Sequence, residues 1–115
     1  MDTKLTIDSQ TDPATGIRTM VLTGPLVLNN MFDFQTQLRA EKSPTVVVDL
    51  SAVPYVDSAG IGVLVNGLVS SKNKGGKLVL AGVVDRVMAT LKVTKVDQLF
   101  QFAPSAAEAQ TLAKA

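Results

Sequence analysis

Segments typical of strands and helices alternate along the chain from Thr45 onward, and this order limits the possible folds more than any other feature. The run Val46–Leu50 is apolar except for Asp49, as in a strand covered on both faces. Helix-like segments over 58–73 and 84–93 separate this strand from strand-like segments over 77–81 and 98–102. Strands joined through helices run parallel with right-handed crossovers, so this part of the chain predicts an α/β sheet.

The N-terminal part of the chain carries two further strand-like segments, over 4–8 and 17–22. A turn containing Pro13 and Gly16 joins them, which predicts an antiparallel hairpin. Asn29 or Asn30 is expected to cap a helix that runs to about Glu41. A capping box of Ser105 and Glu108 opens a final helix. We therefore predict a single α/β domain over residues 1–115, with about five strands in a mixed sheet and about four helices.

The composition excludes several classes of function. The chain has 115 residues and contains neither cysteine nor histidine. Disulfides, thiolate nucleophiles, the usual zinc sites and Ser-His-Asp hydrolases are therefore impossible. We expect no catalytic residue, no metal site and no cofactor.

The charge and the N-terminal residues indicate where such a protein acts. Eleven basic and 10 acidic side chains give a formal net charge of +1, too little for a strong field towards nucleic acid or an anionic membrane. The first residues lack the basic flank and apolar run of a secretory signal. We expect a cytoplasmic protein with neither nucleic acid nor a membrane as a partner.

The segment from Val56 to Gly62 begins the helix after the apolar strand, where Asp57 or Ser58 is expected to be the N-cap. Ile61, Leu64, Val65 and Leu68 fall on one helical stripe and are expected to face the sheet. The opposite face carries no charge, which is unusual for a surface helix; it comprises Ala59, Gly62, Val63, Asn66 and Ser70.

Gly60, Gly62 and Gly67 each weaken this helix by roughly 1 kcal/mol relative to alanine. Two interpretations stay open. Either the uncharged face is a flat patch that a partner protein covers, or the glycines let the helix pack closely against another helix of the same chain.

A phosphate on Ser58 would place about −1.5 to −2 charges at a helix N-terminus, where the free N–H groups and the helix dipole tolerate an anion. The fold is expected to survive this change. An apolar interface with a partner is not expected to survive it, because an unpaired charge that loses its water there costs several kcal/mol. One phosphate could therefore weaken partner binding by roughly a hundredfold without unfolding the domain.

The residues of this segment resemble a known family. Val46-Val47-Val48-Asp49-Leu50-Ser51, followed by Tyr55-Val56-Asp57-Ser58-Ala59-Gly60-Ile61-Gly62-Val63-Leu64, is similar to the signature of the STAS family of anti-sigma factor antagonists. The similarity extends through Gly75-Gly76-Lys77-Leu78-Val79-Leu80 to Leu99-Phe100. The chain is thus identified from its sequence as a STAS-like domain.

The resemblance implies a function. In that family the unphosphorylated protein binds an anti-sigma factor that is also a serine kinase, and so releases the sigma factor. The kinase switches its antagonist off by phosphorylating the serine that corresponds to Ser58, and a phosphatase removes the phosphate. Asp57 would orient the loop. The partner-binding residues are expected to be Asp57, Ser58, Ala59, Gly60, Gly62, Val63 and Asn66.

One departure from the family pattern concerns the stretch after the second strand. Family members usually read Gly-x-Leu-Asp there, with the carboxylate near the phosphorylated serine. This chain reads Gly24-Pro25-Leu26-Val27, so that carboxylate is absent. Recognition by a kinase is consequently less firmly implied than binding through the unmodified surface.

Three alternatives remain. The first is a STAS scaffold or regulatory subunit of a stress-sensing or lipid-transport complex, in which Ser58 is never modified. The second is a receiver-like domain phosphorylated on Asp49, although no acidic cluster accompanies that residue. The third is a hydrolase with Ser58 in a nucleophile elbow, but Val56 stands where a glycine is needed and the chain has no histidine.

Overall fold

The computed structural model describes residues 4–114, and the elements within that range confirm the predicted α/β architecture. They follow in the order β1 (Thr6–Thr11), β2 (Arg18–Thr23), α1 (Phe32–Ala40), β3 (Val46–Ala52), α2 (Ser58–Asn73), β4 (Leu78–Ala81), α3 (Asp85–Val93), β5 (Gln101–Ala103) and α4 (Ala106–Lys114). A short 3-10 turn, Asp97–Leu99, precedes β5.

The five strands form one mixed sheet in the order β1-β2-β3-β4-β5. β1 and β2 pair antiparallel as the predicted hairpin, and each later strand is parallel to its neighbour. Val48 lies in the middle of the sheet, in register with Met20 on β2 and Leu80 on β4. The apolar run is therefore the central strand, as its composition predicts.

Helices cover both faces of the sheet. Side chains alternate between the faces of a strand, so Val48 packs into a large cluster with residues of α1, α2 and α3, including Phe34, Leu64 and Leu91. Val47 belongs to a smaller cluster on the other face, where α4 contributes Ala109 and Ala113. Because α1, α2 and α3 share one face, α2 has neighbours on several sides, and this decides which of its residues reach solvent.

Three boundaries differ from those the sequence predicts, and the first is the end of β1, which continues to Thr11 instead of ending at residue 8. Neither Asn29 nor Asn30 caps α1, which begins at Phe32 after Met31 and has no side-chain cap. Asn30 instead closes the preceding loop: its Oδ1 accepts from the Val27 backbone N–H (3.1 Å), and its Nδ2 donates to the Pro25 carbonyl (2.8 Å). The last strand begins at Gln101, three residues later than expected, because the 3-10 turn occupies the preceding residues.

The receiver-like alternative is wrong. Receiver domains have an all-parallel sheet in the order 2-1-3-4-5, whereas this sheet is sequential and has an antiparallel edge. Asp49 accepts a hydrogen bond from the Ser51 backbone N–H (2.9 Å). Within residues 4–114, no three acidic side chains come together as a metal site requires. None of the helices in that range is long and apolar enough to cross a membrane.

Candidate functional site

Asp57 joins the start of α2 to the loop after β2. Its Oδ1 accepts from the Gly60 backbone N–H at 2.9 Å, which makes Asp57 the N-cap of the helix. Its Oδ2 accepts from the Leu28 backbone N–H at 3.0 Å. The predicted capping role is thus confirmed for Asp57, whose carboxylate also positions a loop nearly 30 residues earlier in the chain.

The loop after β2 lies directly against the start of α2. Leu26 donates its backbone N–H to the Tyr55 carbonyl (3.1 Å) and accepts from the Asp57 backbone N–H (3.3 Å). A Cβ on Gly60 would lie only 2.3 Å from the Leu26 carbonyl oxygen, closer than side chains approach a backbone. Gly60 is therefore needed for close packing within the chain. It is buried, which corrects its expected place on a partner surface.

Ser58 is the first residue of α2, and its side chain is exposed. Its hydroxyl makes no hydrogen bond to any residue in the range 4–114. The residues that follow it at helical spacing are also exposed. We call this row the α2 stripe; its members are Ser58, Gly62, Asn66 and Val69. The stripe has no charged side chain, and Val69 is 50% exposed.

Val63 does not belong to this surface, and its predicted role as an exposed contact is wrong. It is 2% exposed and packs in the main core. The cause is the position of α1, which lies beside α2 so closely that a Cβ on Gly67 would meet the Leu38 side chain at 3.0 Å. Helical periodicity assigns one buried face, but α2 buries a second face against α1. Ala59 is half-buried against the main core, and Ser70 is half-buried beside Gln35 and Leu38 of α1.

The glycines of α2 therefore divide between the two interpretations that the sequence leaves open. Gly60 and Gly67 allow close contacts inside the chain. Gly62 has a different environment, because a Cβ there would meet nothing within 4 Å. Packing within the described residues does not require Gly62, so the internal-packing interpretation does not explain its cost in helix stability.

Two exposed apolar side chains that the sequence pattern does not reveal lie at the same end of the domain as Ser58. Leu28 is 54% exposed in the loop that Asp57 holds, and Phe32 is 59% exposed in the first turn of α1. Neither belongs to a periodic pattern that could have revealed its exposure. They extend the α2 stripe with apolar surface, which favours contact with another protein.

The loop before α2 is also held from the side of α3. The Arg86 guanidinium lies over the Tyr55 ring, 4.8 Å from its centre. Between α1 and α2, beside Gln35, Asn66 and Ser70, is a cleft of only about 50 Å³. A cleft of this size holds a few water molecules but no metabolite. The arrangement thus suits a flat protein contact better than a small ligand.

Comparisons with known proteins agree with this geometry. The STAS domain family matches residues 8–109, and the chain belongs to that family. The anti-sigma-B factor antagonist of Listeria monocytogenes is 33% identical over 54 residues, an alignment that covers 47% of this chain and 47% of the Listeria protein. The chain therefore matches about half the length of that relative.

Solved structures show the same fold at low sequence identity. An anti-sigma-factor antagonist (STAS) domain protein from Planctomyces limnophilus has a TM-score of 0.81 at 20% identity, covering 95% of this chain and 98% of the other. An anti-sigma factor antagonist from Mycobacterium paratuberculosis has a TM-score of 0.79 at 19% identity, covering 96% and 95%. The murine Slc26a9 anion transporter matches 98% of this chain with 22% of its own length, at 19% identity and a TM-score of 0.75.

Alanine substitutions at Gly60 and Gly62 test the structural assignment of the site. Gly62→Ala is expected to raise the free energy of unfolding by about 1 kcal/mol, because the helix gains a better residue in open space. Gly60→Ala is expected to lower it by about 2 kcal/mol or more, because its Cβ collides with a backbone oxygen. Urea titration of both variants measures the difference; effects of the same sign would contradict this packing.

Proposed function

We propose that this protein is an anti-sigma factor antagonist that binds an anti-sigma factor with serine kinase activity and is switched off by phosphorylation of Ser58. The observation that carries the proposal is the exposed Ser58 hydroxyl at one end of an uncharged helical stripe. Membership of the STAS family and the similarity to Listeria anti-sigma-B factor antagonists support it. The protein itself catalyses nothing in this scheme.

Binding is attributed to the α2 stripe together with Leu28 and Phe32. These residues combine small or apolar side chains with no formal charge, so a partner can cover them without desolvating an ion. The backbone beneath them is held by the Asp57 carboxylate and by Asn30. Because the loop is fixed before binding, little conformational entropy is lost when the partner docks.

Phosphorylation would act on this surface without disturbing the fold. Asp57 already occupies the Gly60 N–H, so a phosphate on Ser58 would remain in solvent beside a carboxylate. Covering it would then desolvate a charge of about −1.5 to −2 next to the Asp57 carboxylate. At 1.4 kcal/mol for each tenfold change, a penalty of about 3 kcal/mol weakens binding roughly a hundredfold. A phosphatase that removes the group would restore binding.

A second candidate function is binding through the α2 stripe without phosphorylation of Ser58. Val27 stands where the family pattern has a carboxylate, and in this chain its backbone N–H is bound to Asn30. If the kinase needs that carboxylate to engage the serine, this chain would bind its partner as a permanently unmodified scaffold or regulatory subunit. Binding through the α2 stripe is common to both functions.

Incubation with the candidate anti-sigma kinases of the same genome and ATP tests the proposal. The intact mass is expected to increase by one phosphoryl group, and peptide mapping is expected to place it on Ser58. The Ser58→Ala variant serves as the control and should remain unmodified. Stable complexes without any phosphorylation would favour the scaffold function. Failure of every kinase to bind or to modify the protein would overturn both the antagonist function and the scaffold function.

A further inference from the structure

Charge is strongly segregated in this domain, although its net charge is close to zero. The three helices α1, α2 and α3 end, and the parallel strands begin, at the end of the domain opposite Ser58. We call this the basic end. Six lysines lie in the last turns of these helices or between the helices and the strands that follow: Lys42, Lys72, Lys74, Lys77, Lys92 and Lys95. Lys114, at the end of α4, lies beside Pro44 at the same end.

Few acidic groups oppose these lysines. Among the described residues, the acidic side chains at the basic end are Asp12, Glu41 and Asp97. Glu41 is paired with Arg18 at 3.2 Å, and Arg18 is an additional cation at this end. Most of the other described carboxylates lie towards the opposite end. The net positive charge of the whole chain therefore understates the potential of the basic end.

Helix dipoles explain only part of this arrangement. Lys72 and Lys92 occupy last helical turns, where a cation is favourable, and the Lys74 ammonium donates to the Glu41 carbonyl. Lys95 lies beyond α3 and has a φ of +63°, a left-handed conformation normally taken by glycine at this position. Lysine is less favourable than glycine in this conformation, so the backbone of the turn does not account for the presence of a lysine at position 95.

Exposed aliphatic side chains accompany the lysines. Val93, between Lys92 and Lys95, is 81% exposed, and Leu99 is 50% exposed. Leu99 lines a cleft with Lys72 and Lys77. Aliphatic groups surrounded by lysines on long flexible stems are typical of surfaces that rest on an anionic bilayer, with the apolar groups entering the headgroup region.

We propose that the basic end docks on an anionic lipid surface. Among the described residues, seven of the nine cations at this end are lysines, the other two being Arg18 and Arg39. Lysine acts as a point charge suited to a diffuse layer of headgroups, whereas paired recognition of carboxylates favours arginine. Stacking of nucleic-acid bases needs exposed aromatic rings, and the described residues of this end offer none. In this orientation Ser58 faces away from the lipid and stays accessible.

Co-sedimentation with vesicles tests this proposal, whatever the role of Ser58. The protein is expected to bind vesicles of 30% phosphatidylglycerol in phosphatidylcholine in low salt, and to be released at high ionic strength. Each lysine near such a surface strengthens binding by roughly fivefold. The Lys92→Glu/Lys95→Glu variant is therefore expected to bind at least roughly 25-fold more weakly.

Two further variants keep the test decisive. Lys4→Glu/Asn29→Glu lowers the net charge by three at the other end of the domain, and should bind vesicles nearly as the unmodified protein does. Lys95→Gly relieves the left-handed strain, so it should melt no lower than the parent while binding roughly fivefold more weakly. Equal losses in the two double variants, equal binding to pure phosphatidylcholine, or binding to a DNA duplex but not to vesicles would overturn the proposal.

Discussion

The Val63→Glu variant is expected to be unfolded at 25 °C, whereas Gly62→Glu, one residue away, is expected to fold and to lose its partner. Val63 is 2% exposed inside the core, so a glutamate there must bury a charge or break the contact between α1 and α2. The cost of several kcal/mol is comparable to the whole stability of a small domain. Circular dichroism and thermal melting measure the difference.

Gly62→Glu serves as the matched variant, because it adds the same side chain to the same helix. A Cβ at position 62 meets nothing within 4 Å, so the new carboxylate stays in solvent and the melting temperature changes by only a few degrees. The charge would lie in the middle of the α2 stripe, and we expect the affinity for the anti-sigma factor to fall at least tenfold. A folded Val63→Glu protein that only fails to bind would contradict this description of α2.

Substitutions at Ser58 are expected to separate binding from folding. Ser58→Ala should retain the fold and bind the anti-sigma factor permanently, because it removes the acceptor of the phosphate and leaves the stripe uncharged. Ser58→Asp should also fold, since an acidic group at a helix N-terminus is favourable. Its carboxylate beside Asp57 should weaken the complex by about tenfold or more. Titration calorimetry gives both dissociation constants.

A control for this pair lies in the last turn of the same helix. Asn73 is exposed and lies four turns from Ser58, so Asn73→Asp adds one negative charge to α2 away from the proposed interface. We expect its affinity to equal that of the parent protein. If Asn73→Asp weakened the complex as much as Ser58→Asp, a general charge effect would replace the local one proposed for Ser58.

Those parts of the fold that rest on local chemistry could be predicted from the sequence. The apolar run at Val46–Leu50, the turn before Gly16 and the capping by Asp57 each arise within a few residues, and the structure confirms all three. The start of α1 could not be predicted in this way. Asn30 has the side chain of an N-cap, but it bonds to Pro25 and Val27 instead, and only the folded loop decides between these partners.

Only part of the candidate site could be predicted from the sequence, because local periodicity does not show which elements pack together. Periodicity along α2 identifies the face towards the sheet, but the contact of Val63 and Gly67 with α1 depends on an element some 25 residues earlier. The exposure of Leu28 and Phe32 is likewise not indicated by any local pattern. Net charge likewise does not show the clustering of lysines at the basic end, because summing over the chain removes the information on where each lysine lies.

A single titration series tests whether one phosphate on Ser58 reverses binding of the anti-sigma factor. The anti-sigma factor would be titrated by calorimetry with this protein, with the same protein phosphorylated on Ser58, and with that sample after phosphatase treatment. We predict a dissociation constant roughly a hundredfold higher for the phosphorylated form and full recovery after dephosphorylation. Equal dissociation constants for the three samples, with the phosphate verified by mass, would contradict the account.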